Sequence, residues 1–360
     1  MVRGWDLRAA REAAGLSLGR MAQRTHFARS YLSMIETGKR PVVRDVVLAY
    51  EQVLEVPLAD APGEPLRVAH EWLLAEPPSG RAGRRIGGSD VAGLEARVVE
   101  LRHLDDVVSS ADLLPVITGE LARAERLADD ASCTESIGRR LFTALGELYQ
   151  LAGWVADDAG NHADARRHYL TGVRAANNAC DRVLGAQLLS SLSYQIANLG
   201  DPADASLLAR TAVRGADGAT PVVRTLLLER AAWAAARSGD AELTWRTLDA
   251  VDDTYDRRGG DEPEWTYWLD RGEIDVMAAR CMVALGRPRD AAPLLAHAIS
   301  GYPAEHAREV ALYLTWLAES HARAGDLDAA RSTLAEARRR AAAMPSARTA
   351  ARIRDVHRLV

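Results

Sequence analysis

The chain has 360 residues, 48% hydrophobic and 26% charged, with a formal net charge of −5, which is long enough for two or more domains that each bury a core. Aromatic residues make up only 5%, alanine is abundant, and Val, Ile and Thr rarely cluster, which favours an all-α fold over a sheet. No apolar run approaches the ~18–20 residues of a membrane span, and the first residues lead straight into a charged amphipathic stretch, so neither a membrane helix nor an export signal is expected and the cytoplasm is the expected compartment. Cys133, Cys180 and Cys281 form no CxxC pair and no Cys/His cluster, and read as buried apolar thiols kept reduced. The charge is unevenly divided: residues 1–44 hold nine Lys/Arg against three Asp/Glu, an excess of six, leaving −11 for the remainder.

In chain order, Asp6 is placed to cap a first helix, Leu7 to Ala14, which Gly15 ends. Ser17 caps a second through Thr25, with Leu18, Met21 and Ala22 on one face. A turn at His26-Phe27 leads to a third helix from Ala28 to Glu36, with Tyr31, Leu32 and Ile35 facing inward. Gly38 stops it, Pro41 blocks continuation, and a fourth helix follows from Val43 to Leu54.

The stretch Gly15-Leu16-Ser17, Met21-Ala22 and Ser30-Tyr31-Leu32-Ser33-Met34-Ile35-Glu36-Thr37-Gly38-Lys39-Arg40-Pro41 resembles the Cro/CI-type helix-turn-helix, or XRE family, over residues 6 to about 57. The resemblance implies that the third helix enters the major groove of duplex DNA, and the local basic excess agrees with such a partner. Side chains of its first turn and one turn further on then meet base edges: Arg29, Ser30, Ser33 and Met34. Arg29 suits guanine O6 and N7, the serines donate or accept, and Met34 suits a thymine methyl. Arg24, Thr37, Lys39 and Arg40 are placed for phosphates. Three positions depart from the family pattern: Leu18 where Gln is common, Ala28 where a serine caps the third helix, and Met34 where the family is often long and polar.

A segment from Leu66 to Ala75 reads as a fifth helix closing a first domain, 1–76. Residues 77–89, rich in Pro, Gly and Ser, read as a flexible linker, in which Arg81, Arg84 and Arg85 either trail along phosphates or keep the linker soluble. Residues 90–360 read as helix after helix. Asp90 to Asp130 supplies a leading helix pair, and Arg338 to Val360 a closing one.

Between them five segments start with Gly160, Gly200, Gly239, Gly286 and Gly325, each with a small residue five positions later and another seven positions earlier: Gly153, Ser193, Ala232, Ala279 and Ala318. The pattern resembles the tetratricopeptide repeat, although the glycines are 40, 39, 47 and 39 residues apart against about 34 in that family. The expected architecture is an N-terminal helix-turn-helix bundle followed by an α-solenoid of tetratricopeptide-like hairpins.

In that register Trp154, Tyr194, Trp233, Arg280 and Glu319 point to the concave face, with Gln150, Asp157, Asn198, Glu229, Arg237 and Arg323 around them. Aromatics ringed by amides and charges suit a groove for a peptide or drug-sized effector. The alternative is that they pack against neighbouring repeats or a second subunit. Trp265, Tyr267 and Trp268, in the longest interval, read as core packing, a lid or a dimer contact.

A helix-turn-helix head with such a body resembles peptide-sensing quorum regulators and regulators of secondary metabolism and development in high-GC bacteria. This implies a transcription regulator, a homodimer on a palindromic operator, with the array sensing an effector; the alternative is a DNA-tethered scaffold whose repeats dock a partner protein. The nine histidines show no HExxH, and there is no P-loop, GxSxG or dinucleotide fingerprint. No enzyme activity, cofactor or metal is expected.

Overall fold

In the computed structural model the described residues are 4–54, 64–74, 84–85, 87–129, 131–303 and 306–360. They divide into two compact units, Met1–Glu64 and Pro65–Val360. Among the described residues no helix is long and apolar enough to cross a membrane.

The first unit contains α1 (Gly4–Ala13), α2 (Leu18–Thr25), α3 (Arg29–Glu36) and α4 (Arg44–Leu54). Gly15 and Gly38 end α1 and α3 at φ +67° and +73°, a conformation glycine reaches without a Cβ penalty. The Ser17 hydroxyl accepts a hydrogen bond from the Arg20 amide at 3.2 Å and caps α2, whereas Ala28 gives α3 no side-chain cap. α1 begins two residues before Asp6, the residue expected at its cap. Gly4 lets that start pass so close to the end of α3 that a Cβ would overlap the Ile35 carbonyl.

Leu7, Met21, Leu32, Ile35, Val46, Val47 and Tyr50 form the core of this unit. Beside it lies a buried polar knot. Arg11 donates from Nε and Nη2 to the two oxygens of Glu36 at 2.7 and 2.8 Å, and Tyr50 donates to the same carboxylate at 2.8 Å. Arg11 also donates to the Leu16 carbonyl at 2.7 Å. The fork-to-carboxylate geometry satisfies both charges away from water and ties α1 and α4 to the last residue of α3.

From Pro65 on, α5 (Glu64–Leu74) belongs to the second unit and not to a first domain reaching residue 76. Val68, Ala69 and Trp72 of α5 share a core with Tyr169, Leu188, Leu208 and Leu226 instead. Gly185 and Gly215 leave the space that the Trp72 indole fills, since a Cβ at either would overlap it. Of the expected linker, Arg84–Arg85 (β1) pairs in parallel with Ala131–Ser132 (β2), and Gly88 already starts the next helix; Arg81 lies outside the described residues.

The leading pair is α6 (Gly88–Val107) and α7 (Ser110–Asp129). Five hairpins follow: α8 (Glu135–Asp158) with α9 (His162–Ala179), α10 (Arg182–Leu199) with α11 (Pro202–Gly215), α12 (Pro221–Arg237) with α13 (Ala241–Tyr255), α14 (Arg271–Ala284) with α15 (Pro288–Ser300), and α16 (Ala307–Ala324) with α17 (Leu327–Ala343). A single helix closes the array, α18 (Ala347–His357), not the expected pair, because α17 runs on to Ala343. The fold is an all-α solenoid of tetratricopeptide-like hairpins.

The small residues act as their spacing predicts. Ala232, Ala279 and Ala318 are fully buried, Ser193 donates to the Ala205 carbonyl at 2.8 Å, and a Cβ on Gly153 would overlap the Tyr169 ring. Four of the five repeat glycines take positive φ; Gly200 sits at φ −121°.

The long fourth interval folds back on the array. Trp265 is buried in a short 3-10 turn, Glu264–Thr266, Trp268 packs against the same core, and Tyr267 donates to Asp106 at 2.6 Å. The first and last parts of the array also meet: Arg308 donates to both oxygens of Asp105 at 3.0 and 3.2 Å, and Ser346 donates to Asp158 at 3.0 Å. Of the three cysteines only Cys281 is buried, its thiol pushed up to about 12 by burial, while Cys180 is exposed where α9 ends.

Glu36→Ala would leave the buried Arg11 with only the exposed Glu12, at 3.4 Å, as a counterion, a change that costs up to roughly 3–5 kcal/mol. The expected result is loss of hydrogen-exchange protection in α3 with protection in α10 retained.

Candidate functional site

Two sets of residues have the exposure or the chemistry to act on something outside the fold. The first is the outer face of α3. Arg29 and Ser30 are exposed on its first turn, and Ser33 and Met34 are half-exposed one turn later. The inner face, Leu32, Ile35 and Glu36, is buried, so core and outer positions alternate as an amphipathic helix requires.

Arg24, Thr37, Lys39 and Arg40 are all exposed. The Thr37 hydroxyl donates to the Ser33 carbonyl at 2.7 Å, and the Arg40 amide donates to the Met34 carbonyl at 3.0 Å. These bonds hold the exit of α3 in a fixed turn. Arg40 stacks over the Tyr31 ring, 5.5 Å from its centroid, which directs its guanidinium along the same side. Leu18 is half-buried against the core, so its departure from the family pattern adds packing where a polar group would stand.

The second set lies inside the array. The register count brings the expected residues together: Trp154 stacks on Tyr194 with centroids 6.2 Å apart, and Trp233 donates from Nε1 to Asn198 at 3.2 Å. Arg280 donates to the Tyr194 hydroxyl at 2.8 Å and lies 4.5 Å from the Trp233 ring centre.

These residues do not line an open groove. Tyr194, Trp233, Arg280, Glu319 and Glu229 are buried, and Trp154 alone of the three aromatics is half-exposed. The space is filled by side chains the register did not place there. Arg230 lies 4.1 Å from the Tyr194 ring centre, Trp316 meets Trp233 edge-on at 5.6 Å, and Arg348 and Arg352 of α18 lie over Trp154 and Trp316 at 4.8 and 3.7 Å.

Asp157 accepts from Gln195 at 2.8 Å and contacts His162 Nδ1 at 2.7 Å, and Gln150 donates to Ser191 at 3.4 Å. Both therefore act as local braces. Arg237 is exposed and donates to the Ala197 carbonyl at 3.1 Å, and Arg323 is exposed and donates to Glu319 at 2.7 Å.

Arg230 and Trp316 were findable from sequence, because each stands three residues before an inner position and so shares its helix face. Arg348 and Arg352 were not, since nothing local ties α18 to α8 and α16.

The electrostatics of this interior are unusual for a buried site. Burial alone would push the Tyr194 phenol up, yet Arg280, Arg348 and Arg230 pull it down to about 8. Burial pushes the Glu229 carboxyl up to about 8, and its Oε1 has no hydrogen-bond partner.

Between the ordinary carboxyl range and about 8 the unfolded chain ionises Glu229 while the folded chain keeps its proton, so this residue's contribution to stability falls as pH rises. From about 8 to 10 the folded chain ionises Tyr194 first, and that contribution rises. Glu229→Gln should raise the melting temperature more near pH 8 than near pH ~5, and Arg280→Gln should move the tyrosinate absorbance of Tyr194 to higher pH. Thermal scans and ultraviolet difference titration check the two.

Residues 4–62 match the family model described as a helix-turn-helix domain, and α1 to α4 make that domain. No curated protein matches the sequence. Among solved structures, Bacillus thuringiensis PlcR in complex with the peptide PapR7 and DNA is similar over 90% of this chain and 98% of that one, at 12% identity and a TM-score of 0.28.

Proposed function

We propose that this chain, with its N-terminal helix-turn-helix domain, is a sequence-specific DNA-binding transcription regulator of the cytoplasm, and that its helical array dimerises and answers a peptide or small-molecule effector. The observation that carries the reading is the outer face of α3. Arg29 stands exposed there and makes no hydrogen bond or ion pair among the described residues, while the opposite face is fixed in the core by Leu32, Ile35 and the Arg11–Glu36–Tyr50 knot. A rigid helix with a free, bidentate donor at its first turn suits guanine in the major groove.

On this reading Arg29, Ser30, Ser33 and Met34 meet bases, and Arg24, Thr37, Lys39 and Arg40 meet phosphates. Two copies of the head then need half-sites about one helical turn apart. An effector acts by binding one arrangement of the array better than another. The interior supports such a two-state element, because α18 covers Trp154 and Trp316 with Arg348 and Arg352. An effector reaching Tyr194 and Trp233 must compete with that helix. The reading requires binding and no bond-making chemistry.

Arg29→Ala is expected to lower preference for the selected site by about 1–3 kcal/mol while leaving salt-dependent nonspecific binding largely intact. Lys39→Ala should weaken all sequences alike and reduce the salt slope by about one. Fluorescence anisotropy on specific and scrambled duplexes at several salt concentrations measures both. Unchanged selectivity in Arg29→Ala would remove α3 as the reading element.

A further inference from the structure

Among the buried cations of the array, two lack counterions. Arg348 has Asp158 at 3.1 Å and Arg352 has Glu319 at 2.5 Å. Arg230 and Arg280 are 8% and 6% exposed, and neither forms an ion pair among the described residues. Arg280 gives Nη2 to the Tyr194 hydroxyl and leaves Nε without a partner. Among the described residues Arg230 makes no hydrogen bond; it lies over the ring faces of Tyr194 and Trp154, at 4.1 and 5.8 Å, within electrostatic reach of the Glu229 carboxyl.

Both guanidiniums lie against the Tyr194 ring, and Asp158 and Glu319 are held at ion-pair distance by Arg348 and Arg352, so among the described residues no carboxylate is left to pair with Arg230 or Arg280. An uncompensated buried charge is strongly destabilising, and contact with an aromatic face offsets only part of that cost. Glu229 does not balance them: its carboxyl stays protonated up to about 8, and its unpartnered Oε1 lies in the same interior. In that state it offers a hydrogen-bond donor to an anion.

We propose that Arg230 and Arg280 form an anion site over the Tyr194 ring, which takes the carboxylate of an aromatic or peptide effector between the two guanidiniums. The arrangement supplies what such a ligand requires. Two guanidinium forks bind a carboxylate, the ligand's ring takes the place over the half-exposed Trp154 that Arg348 of α18 fills in its absence, and aromatic contact with Trp154 replaces that cation. The inference deepens the reading of the array as the effector-binding half and rests on it. Its test contains no DNA, so failure here leaves recognition of DNA by α3 untouched.

The experiment titrates the full-length protein with sodium benzoate and, at the same ionic strength, with neutral benzamide, following tryptophan fluorescence and thermal stability. Benzoate should bind saturably and raise the melting temperature, with benzamide at least about tenfold weaker. Benzoate should also move the Tyr194 tyrosinate titration upward from about 8, a readout that needs no variant.

Arg230→Gln and Arg280→Gln should each weaken benzoate by about tenfold or more, and Arg230→Gln, by removing a surplus buried charge, should leave the ligand-free protein as stable as before or more so. An acetylated tetrapeptide ending in phenylalanine, with and without a C-terminal amide, identifies the source of the carboxylate. Tighter binding than benzoate, lost on amidation, assigns a peptide terminus; affinity equal to benzoate assigns a free acid. Equal binding of benzoate and benzamide, no saturable response to benzoate, or full benzoate affinity in Arg230→Gln would overturn the proposal.

Discussion

At Gly153 there is no room for a methyl group, because the Tyr169 ring occupies the place a Cβ would take. The second unit grows from that constraint, repeated at Ser193, Ala232, Ala279 and Ala318, where paired helices cross on side chains too small to hold them apart. Close crossings fix the rotation of each helix. The residue after each small one therefore points to the same side, and Trp154, Tyr194, Trp233, Arg280 and Glu319 come together although about forty residues separate most neighbours in that set. Packing at the crossings thus decides what chemistry meets in the interior.

The two units treat buried charge differently. In the head, Arg11 and Glu36 neutralise each other, Tyr50 completes the carboxylate's bonding, and burial together with Glu36 holds that phenol protonated well above its ordinary range. The result is a rigid scaffold for α3. In the array Arg230, Arg280 and Arg348 all act on the Tyr194 phenol, and polar atoms of Glu229, Arg280 and Arg352 are left buried without hydrogen-bond partners among the described residues. A balanced knot favours one structure, whereas an unbalanced one is sensitive to whatever supplies the missing charge. That difference matches the proposed division between a head that reads DNA and a body that answers an effector.

The head was legible because its signals are local. Gly15, Ser17, Gly38 and Pro41 mark helix ends within a few residues, and the apolar spacing of Leu32 and Ile35 identifies the inner face. Glu36 was visible as part of a motif, but its role as an anchor was not, since Arg11 and Tyr50 lie 25 and 14 residues away. The same rule separates successes from failures in the array. Small residues at fixed distances from glycines gave the hairpins and the inner positions. Placing Trp72 and α5 required knowing that Gly185 and Gly215 leave room for an indole, and filling the interior required α18 to return to α8 and α16. Both are contacts between distant segments, which no local period records.

On the proposed function α3, held by the Glu36 knot, reads a specific duplex sequence for a dimeric regulator. Selection of random duplex DNA by the full-length protein at moderate salt, followed by sequencing of the bound fraction, tests it most directly. The expected product is an inverted repeat with half-site centres about 10–10.5 base pairs apart, or a multiple of that. Recovery of no preferred sequence after repeated rounds would contradict it.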